Sequence, residues 1–210
     1  MSELIKSLEW RYATKEFDTS KMISNEDLDE IIEAFRLTSS SFGLEPWKLV
    51  IVENKEKREE LLSASWNQKQ IIEASHLLVF TRVLDNEKQI NSFLDNNSKI
   101  TWASREDLKW YEDMMKWFFS RLDENAQKLW AHEQVFIALW NVMTVLADKK
   151  IDSCAIWGFD PVKYDEILWL KEKWLASVVV LPIGYRSEDD KYSSKPKVRF
   201  DREEILEIIK

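Results

Sequence analysis

Three short segments of the sequence combine positively charged residues with small or turn-forming ones, and they are the first candidates for a binding site. These segments are Arg11-Tyr12-Ala13-Thr14-Lys15, Asn67-Gln68-Lys69-Gln70 and Lys195-Pro196-Lys197-Val198-Arg199. Alternate side chains of an extended segment point to one side, so Arg11, Ala13 and Lys15 would share a face. Lys197 and Arg199 would share a face in the same way. Arginine grips a phosphate through two parallel hydrogen bonds, whereas lysine binds it as a point charge. Taken alone, each segment is better explained as solvated surface charge.

The sequence lacks the residues of several other kinds of site. It has no GxGxxG motif and no P-loop, so a nucleotide would not lie in either of those glycine-rich cradles. His76, His132 and the single Cys154 make no set of metal ligands. We interpret Cys154 as a small buried residue at a strand end and His76 as structural. Redox chemistry would therefore need a bound cofactor.

The elements that would position these segments follow from hydrophobic periodicity and capping residues. Helices are predicted over 2–10, after the cap Ser24, and over 55–64, 67–74, 85–97, 104–121, 124–149, after Asp160 and over 201–210. Strands are predicted over 47–52, 76–81, 153–156 and 177–183. This order favours one mixed domain over 1–210, α/β or α+β, with helices on both faces of a sheet.

Composition narrows the class of protein. The net charge of −8 disfavours nucleic acid and an anionic membrane face as partners, although a local basic pocket remains compatible with it. A single cysteine fits a reducing compartment. No apolar run approaches the length of a membrane span and no signal peptide is visible, so we expect a cytoplasmic protein.

Seven blocks of the sequence follow one another in order between residues 4 and 200. The blocks are Glu9-Trp10-Arg11-Tyr12-Ala13-Thr14-Lys15-Glu16-Phe17-Asp18, Ser39-Ser40-Ser41-Phe42-Gly43-Leu44-Glu45-Pro46-Trp47-Lys48, Trp66-Asn67-Gln68, Glu73-Ala74-Ser75-His76, Ile156-Trp157-Gly158-Phe159-Asp160, Leu170-Lys171-Glu172-Lys173 and Leu181-Pro182-Ile183-Gly184-Tyr185-Arg186-Ser187. Together these blocks resemble the nitroreductase family. The resemblance implies an α+β homodimer with a central mixed, mainly antiparallel sheet flanked by helices. It also implies FMN at the dimer interface, beside the long central helix.

The resemblance further implies which residues hold the flavin. Arg11, Lys197 and Arg199 resemble phosphate ligands, and Lys15 resembles the cation beside the pyrimidine edge. A positive charge at that edge would stabilise the anionic reduced flavin. The other residues that the resemblance places at the cofactor are Tyr12, Ala13, Asn67, Gln70, Ile156, Trp157 and Gly158, with Ser39, Ser40 and Ser41 from the partner subunit. Two of these positions vary within the family, since relatives often have Ser at Ala13 and some have Lys at Gln70. Next to the serines, we expect Gln where this chain has Glu45.

The implied activity is ping-pong transfer of hydride from NADH or NADPH, through flavin N5, to a nitroaromatic, a quinone or a similar acceptor. No side chain would act as a catalyst, and no metal is implied. Phe118 and Phe119 in helix 104–121 are the expected substrate gate. The alternative is a non-catalytic, flavin-free dimeric module on the same fold, which Trp157 would favour by covering the flavin face.

The sequence has only three glycines but eleven tryptophans. Four tryptophans, at 10, 47, 66 and 130, are ordinary for the resemblance. The other seven stand where the resemblance predicts glycine or another small residue: Trp102, Trp110, Trp117, Trp140, Trp157, Trp169 and Trp174. We hypothesise that UGA codons read as glycine in the source cell encode these seven positions. The alternative is a natural tryptophan-rich variant, which overpacking and left-handed turns would destabilise.

Overall fold

A four-stranded sheet lies at the centre of the chain, in a computed structural model that describes residues 1–210. The strands are β1 (Trp47–Val52), β2 (His76–Val83), β3 (Asp152–Ser153) and β4 (Leu175–Gly184). Their order is β1-β2-β4-β3, and every neighbouring pair is antiparallel. The expected α+β class with a mainly antiparallel sheet is therefore confirmed.

Nine α-helices surround the sheet. They are α1 (Glu3–Trp10), α2 (Asn25–Arg36), α3 (Lys55–Ala64), α4 (Gln70–Glu73), α5 (Asn86–Thr101), α6 (Lys109–Ser120), α7 (Glu124–Asp148), α8 (Pro161–Ile167) and α9 (Arg202–Ile205). Two 3₁₀ turns cover Ser41–Gly43 and Lys171–Lys173.

Helices cover both faces of the sheet, as the apolar runs of its central strands predict. Successive side chains of β2 enter two different cores, because a strand alternates its side chains between the two faces. Leu78 and Phe80 belong to the core beneath α2 and α7. Leu77 and Val79 belong to the opposite core, beneath α3 and α8. A third, smaller core joins α5 and α6 to the first half of α7.

The long helix α7 buries one side against the sheet and leaves apolar residues on its other side. Val135, Ala138 and Val142 are fully buried. Phe136 and Ile137, in contrast, are exposed. A helix with this pattern has apolar surface left over for a further contact.

Several predicted boundaries were wrong. The helix predicted over 104–121 begins only at Lys109, after a turn in which the side chains of Ser104 and Asp107 each accept the other's backbone N–H. The helix predicted over 67–74 is reduced to α4, since Trp66 and Asn67 have positive φ. The strand predicted over 153–156 is β3 plus a single bridge from Ile156 to Val180. Only Arg202–Ile205 of the last ten residues is helical.

Candidate functional site

A cavity of about 440 Å³ opens between the segment that follows α1 and the segment that precedes α9. Its lining includes five cations: Arg11, Lys15, Lys195, Lys197 and Arg199. Glu9 is the only acidic residue in the lining, so the cavity is strongly positive within an acidic protein.

None of the five cations forms a salt bridge with a carboxylate of the chain. Burial, and then the neighbouring Arg199, lower the pKa of Arg11. Burial, and then Arg11 and Arg199, lower the pKa of Lys197. The Arg11 Nε is buried without a hydrogen-bond partner. A bound phosphate dianion would balance these unpaired cations, which lower one another's pKa. It would also accept a hydrogen bond from the Arg11 Nε.

The edge of the sheet holds the first cationic segment in place. Ala13 forms a parallel bridge to Ser153 of β3, and the Thr14 backbone N–H donates to the Ser153 carbonyl over 3.3 Å. The Thr14 side chain is fully buried, whereas Arg11, Ala13 and Lys15 line the cavity. The predicted shared face of these three residues is thus present.

A buried ion pair supports this segment from behind. The Arg186 Nε donates to both carboxylate oxygens of Asp152, over 2.9 and 3.0 Å. The Asp152 side chain is only 3% exposed. The Arg186 guanidinium lies 4.2 Å from the ring centroid of Trp10 and 4.5 Å from that of Tyr12. Trp10 and Tyr12, which line the cavity, therefore contact the Arg186 guanidinium, whose charge is balanced by Asp152.

The second cationic segment of the cavity, residues 192–199, also contributes Tyr192 and Lys195, which the family resemblance did not place at the cofactor. Lys195 lines the cavity, and its Nζ lies 3.9 Å from the Tyr192 ring centroid. The Lys197 Nζ donates to the Arg11 backbone carbonyl, so the two segments touch directly. The signal for Lys195 was its alternation with Lys197, whereas nothing in the local sequence marked Tyr192.

Asn67, Gln70 and the residues around Gly158 do not line this cavity. The Gln68 Nε2 donates to the carbonyls of Ser65 and Gly158, which brings the segment around Asn67 next to the segment around Gly158. Gln70 is buried and Asn67 is exposed. Ile156 is buried. Trp157 is 70% exposed and does not line the cationic cavity.

The serine loop also lies apart from the cationic cavity within one chain. The Ser40 Oγ accepts the Glu45 backbone N–H over 2.8 Å, and the Ser41 backbone N–H donates to the Gln134 Oε1 over 2.8 Å. Ser39 borders a separate cavity beside Trp140 of α7. One chain therefore does not bring the serines to the five cations.

The two expected gate residues occupy different environments. Phe119 is 7% exposed and packs edge-on against Trp130, with ring centroids 4.9 Å apart. Phe118 is only partly buried and contacts Phe42 of the serine loop at 5.1 Å. Of the two, Phe118 has the exposure that a gate requires.

Other reactive groups are few. Cys154 is buried, and burial raises the pKa of its thiol, although the Lys15 Nζ lies 3.8 Å from its sulfur. His76 is buried, with its Nδ1 2.9 Å from the Ser75 Oγ. No cluster of metal-ligating residues is present. No helix is both long enough and apolar enough to cross a membrane.

Comparison with known proteins identifies the family. The sequence model of the Nitroreductase family matches residues 8–185. The chain belongs to the nitroreductase family, a family of oxidoreductases. A Staphylococcus epidermidis relative named "Putative NAD(P)H nitroreductase" is 38% identical over 98% of this chain and 96% of its own. A Bacillus subtilis relative of the same name is 34% identical over 99% and 98%.

Solved structures share the nitroreductase fold. A Bacillus subtilis structure described as a "putative nitroreductase" superposes with a TM-score of 0.87 at 21% identity, covering 99% of both chains. A structure from Exiguobacterium sibiricum, described as a "putative nitroreductase in complex with FMN", gives 0.86 at 18% identity, covering 100% of this chain and 98% of that one. These likenesses confirm the nitroreductase-like fold that the sequence blocks predicted.

Proposed function

We propose that the protein is an FMN-dependent oxidoreductase that oxidises NADH or NADPH and reduces a nitroaromatic, a quinone or a similar acceptor by a ping-pong mechanism. The observation that carries this proposal is the cavity with five unpaired cations and the orphaned Arg11 Nε. The names of the relatives and the FMN bound in one structural neighbour point to the same donor and cofactor.

The residues present fit the phosphate of FMN. Arg11 offers a fixed fork of donors that is partly removed from water, which favours a planar pair of phosphate oxygens. Lys197 and Arg199 add positive charge from the other segment. A phosphate there would satisfy the Arg11 Nε and relieve the repulsion that lowers the pKa of Arg11 and Lys197.

The remaining site residues would orient the ring and shape its surroundings. FMN, when bound, would take up hydride from the nicotinamide at N5 and give it to the acceptor. Lys15 lines the same cavity as the phosphate ligands and would place its ammonium at the pyrimidine edge, where negative charge develops. Asn67 would contribute a polar contact at that edge. Ile156, Trp157 and Gly158 would supply backbone groups near N5.

We further propose that the active unit is a homodimer. Ser39, Ser40 and Ser41 do not line the cationic cavity of their own chain, so a second copy would have to bring them to the flavin. The exposed apolar side of α7, with Phe136 and Ile137, offers the surface for that contact. Phe118 would then control entry of the acceptor, since it touches the serine loop.

The test compares the chain with two charge variants. Purified protein should bind FMN, and NADH or NADPH should bleach the flavin absorbance until an acceptor restores it. Arg11→Gln should lose FMN, whereas Lys171→Gln, which removes an exposed lysine outside the cavity, should keep it. A folded, colourless protein that recovers nothing on addition of FMN would refute the proposal and favour the flavin-free module.

A further inference from the structure

Asp190 is a buried carboxylate beside the cationic cavity, and the function proposed above gives it no role. Its side chain is 2% exposed. The Oδ2 accepts from the Tyr12 hydroxyl over 2.9 Å and from the backbone N–H groups of Lys15 and Glu16 over 2.8 and 3.3 Å. The Oδ1 accepts from the Tyr192 backbone N–H over 2.9 Å. Burial alone would raise the pKa of Asp190, but these hydrogen bonds lower it below its ordinary value.

The two cationic segments depend on Asp190 to different extents. The first segment is also fixed by β3, through Ala13 and Thr14. The second segment, 192–199, is exposed throughout. Apart from bonds within itself, its hydrogen bonds run from Tyr192 to the Asp190 carboxylate, from Ser193 to the Asp190 backbone carbonyl, and from Lys197 to the Arg11 carbonyl. Asp190 is thus the main link between the body of the protein and the residues that carry Lys195, Lys197 and Arg199.

We propose that Asp190 is the positioning residue of the cofactor-phosphate site: it fixes the spacing between the two cationic segments and does not itself touch the phosphate. This inference rests on the proposed FMN function. All four partners of Asp190 donate hydrogen bonds, so the amide of Asp190→Asn must turn its NH₂ toward a donor on one side. The amide oxygen then faces the three donors of Tyr12, Lys15 and Glu16, and the NH₂ group faces the Tyr192 N–H, which loses its acceptor. The Ser193 bonds to the Asp190 backbone carbonyl remain, so the second segment is loosened at Tyr192 while the first stays attached to β3.

The experiment compares FMN with riboflavin, which lacks the phosphate, as ligands of the wild type, Asp190→Asn and Asp189→Asn. Asp189 is the exposed neighbour, and its carboxylate accepts no hydrogen bond. Asp190→Asn should raise the dissociation constant of FMN by about tenfold or more, since hydrogen bonds to a charged group are lost. Its riboflavin affinity should not change, and Asp189→Asn should resemble the wild type for both ligands.

The possible outcomes separate this inference from the function on which it rests. A wild type that binds FMN no better than riboflavin overturns the proposed phosphate site itself. A wild type that prefers FMN, with an equal preference in Asp190→Asn, overturns the role of Asp190 alone. If Asp190→Asn does not fold, hydrogen exchange in the wild type tests the same contact. The Tyr192 amide should then exchange slowly, and rapid exchange there refutes the assignment.

A second inference concerns four tryptophans with left-handed backbone conformations. Trp66, Trp102, Trp169 and Trp174 have φ between 50° and 64°. They make up four of the eight non-glycine residues with positive φ, although only eleven of the 210 residues are tryptophan. Chance placement does not explain this share.

Each of the four follows the end of a helical segment, where glycine is the preferred residue. The hydrogen bonds that close such an end are present: Asn67 N–H to the Leu62 carbonyl, Trp102 N–H to Ser98, Leu170 N–H to Asp165, and Leu175 N–H to Leu170, all between 2.9 and 3.0 Å. A Cβ destabilises this conformation.

Burial of the indole does not compensate for that conformation. Trp66, Trp102, Trp169 and Trp174 are 56–91% exposed. In contrast, Trp47 and Trp130 are 8% exposed and have negative φ. The four residues thus have the backbone of a helix-ending glycine and side chains that are largely exposed to solvent.

We infer that the natural polypeptide has glycine at these four positions, encoded by UGA. The backbone conformation thus adds Trp66 to the positions where the sequence predicted glycine, although the family resemblance treats tryptophan at 66 as ordinary. The conformational argument does not apply to four other tryptophans, which have negative φ: Trp110, Trp117, Trp140 and Trp157.

Two measurements test this inference. Peptide mass spectrometry of the protein from its own cells should find glycine at all four positions, and the gene should have UGA codons there. Tryptophan at these positions, encoded by UGG, refutes the inference. Separately, in the chain as printed, Trp102→Gly and Trp169→Gly should each raise the unfolding midpoint by about 2–4 °C. The matched changes Trp47→Gly and Trp130→Gly should lower the midpoint. A lower midpoint in Trp102→Gly and Trp169→Gly would contradict the conformational argument.

Discussion

Asp152→Asn removes the charge that compensates Arg186 behind the cationic cavity. The carboxylate is 3% exposed, and the Arg186 side chain is 24% exposed. The two are joined by the Nε hydrogen bonds, by the Arg186 backbone N–H to the Oδ2 over 2.9 Å and by an ion-pair contact of 2.6 Å to the Nη2. The Thr14 hydroxyl donates to the same carboxylate over 3.2 Å.

Breaking a buried pair by removing one partner costs about 3–5 kcal/mol of unfolding free energy. Because Arg186 retains some contact with water, we expect the lower end, about 3 kcal/mol, out of a total of about 5–15 kcal/mol. For a chain of this length, that loss lowers the unfolding midpoint by about 6–12 °C. Equilibrium urea unfolding with an unchanged m-value should report the same loss.

The control for this prediction is the exposed pair between Lys109 and Asp113, whose side chains are 57% and 60% exposed. Lys109→Gln should leave stability unchanged within error, because solvent screens exposed pairs. The double variant Asp152→Asn/Arg186→Gln should recover part of the loss, since no unpaired charge remains buried. A loss below about 1 kcal/mol in Asp152→Asn would refute the reasoning that this pair supports the site.

Three further predictions follow from the structure. Burial, and then the nearby Arg82 and Lys128, lower the pKa of His132 to about 4. The unfolded chain therefore binds more protons between about pH 4 and 6.5, so stability should rise with pH across that window, and His132→Gln should reduce the rise in urea midpoints. Phe119→Ala should cost about 3–5 kcal/mol in urea unfolding, whereas Phe118→Ala should cost less and should change the KM for the acceptor; equal stability losses would contradict their different burial. Gly184→Ala should lower the unfolding midpoint, because its Cβ would lie 3.0 Å from the Ser75 backbone nitrogen; an unchanged midpoint would show that the strand can shift.

The fold was predictable from the sequence where a long periodic pattern dominates. The unbroken apolar runs of β2 and β4 predicted strands buried on both faces, and their side chains do enter both cores. The 25-residue α7 was predicted to within a residue at each end, since its apolar period is sustained. The repeated charge of the segments around Arg11 and Lys197 marked them as candidates, but only the family resemblance assigned them to one site.

The supports of the site were not predictable, since they depend on contacts between distant residues. Asp190 and Tyr12 are 178 residues apart in the sequence, and Asp190 stands in a run of polar residues typical of exposed loops. Asp152 has no local sign that Arg186 would cover it. The left-handed residues Trp66 and Asn67 were also missed, because tryptophan at that point gives no signal of a helix end.

The contrast between the cavity and the rest of the surface has a kinetic consequence. The chain carries a net charge of −8, yet five cations converge on one opening. Anions are repelled over most of the surface and attracted at that opening, so their paths of approach are focused on it. Charge focusing of this kind raises association rates by about 10- to 1000-fold, and the rates fall steeply as salt is added. The speed with which an anionic ligand finds the protein is thus set by the ionic strength around it, through a field that no single residue makes.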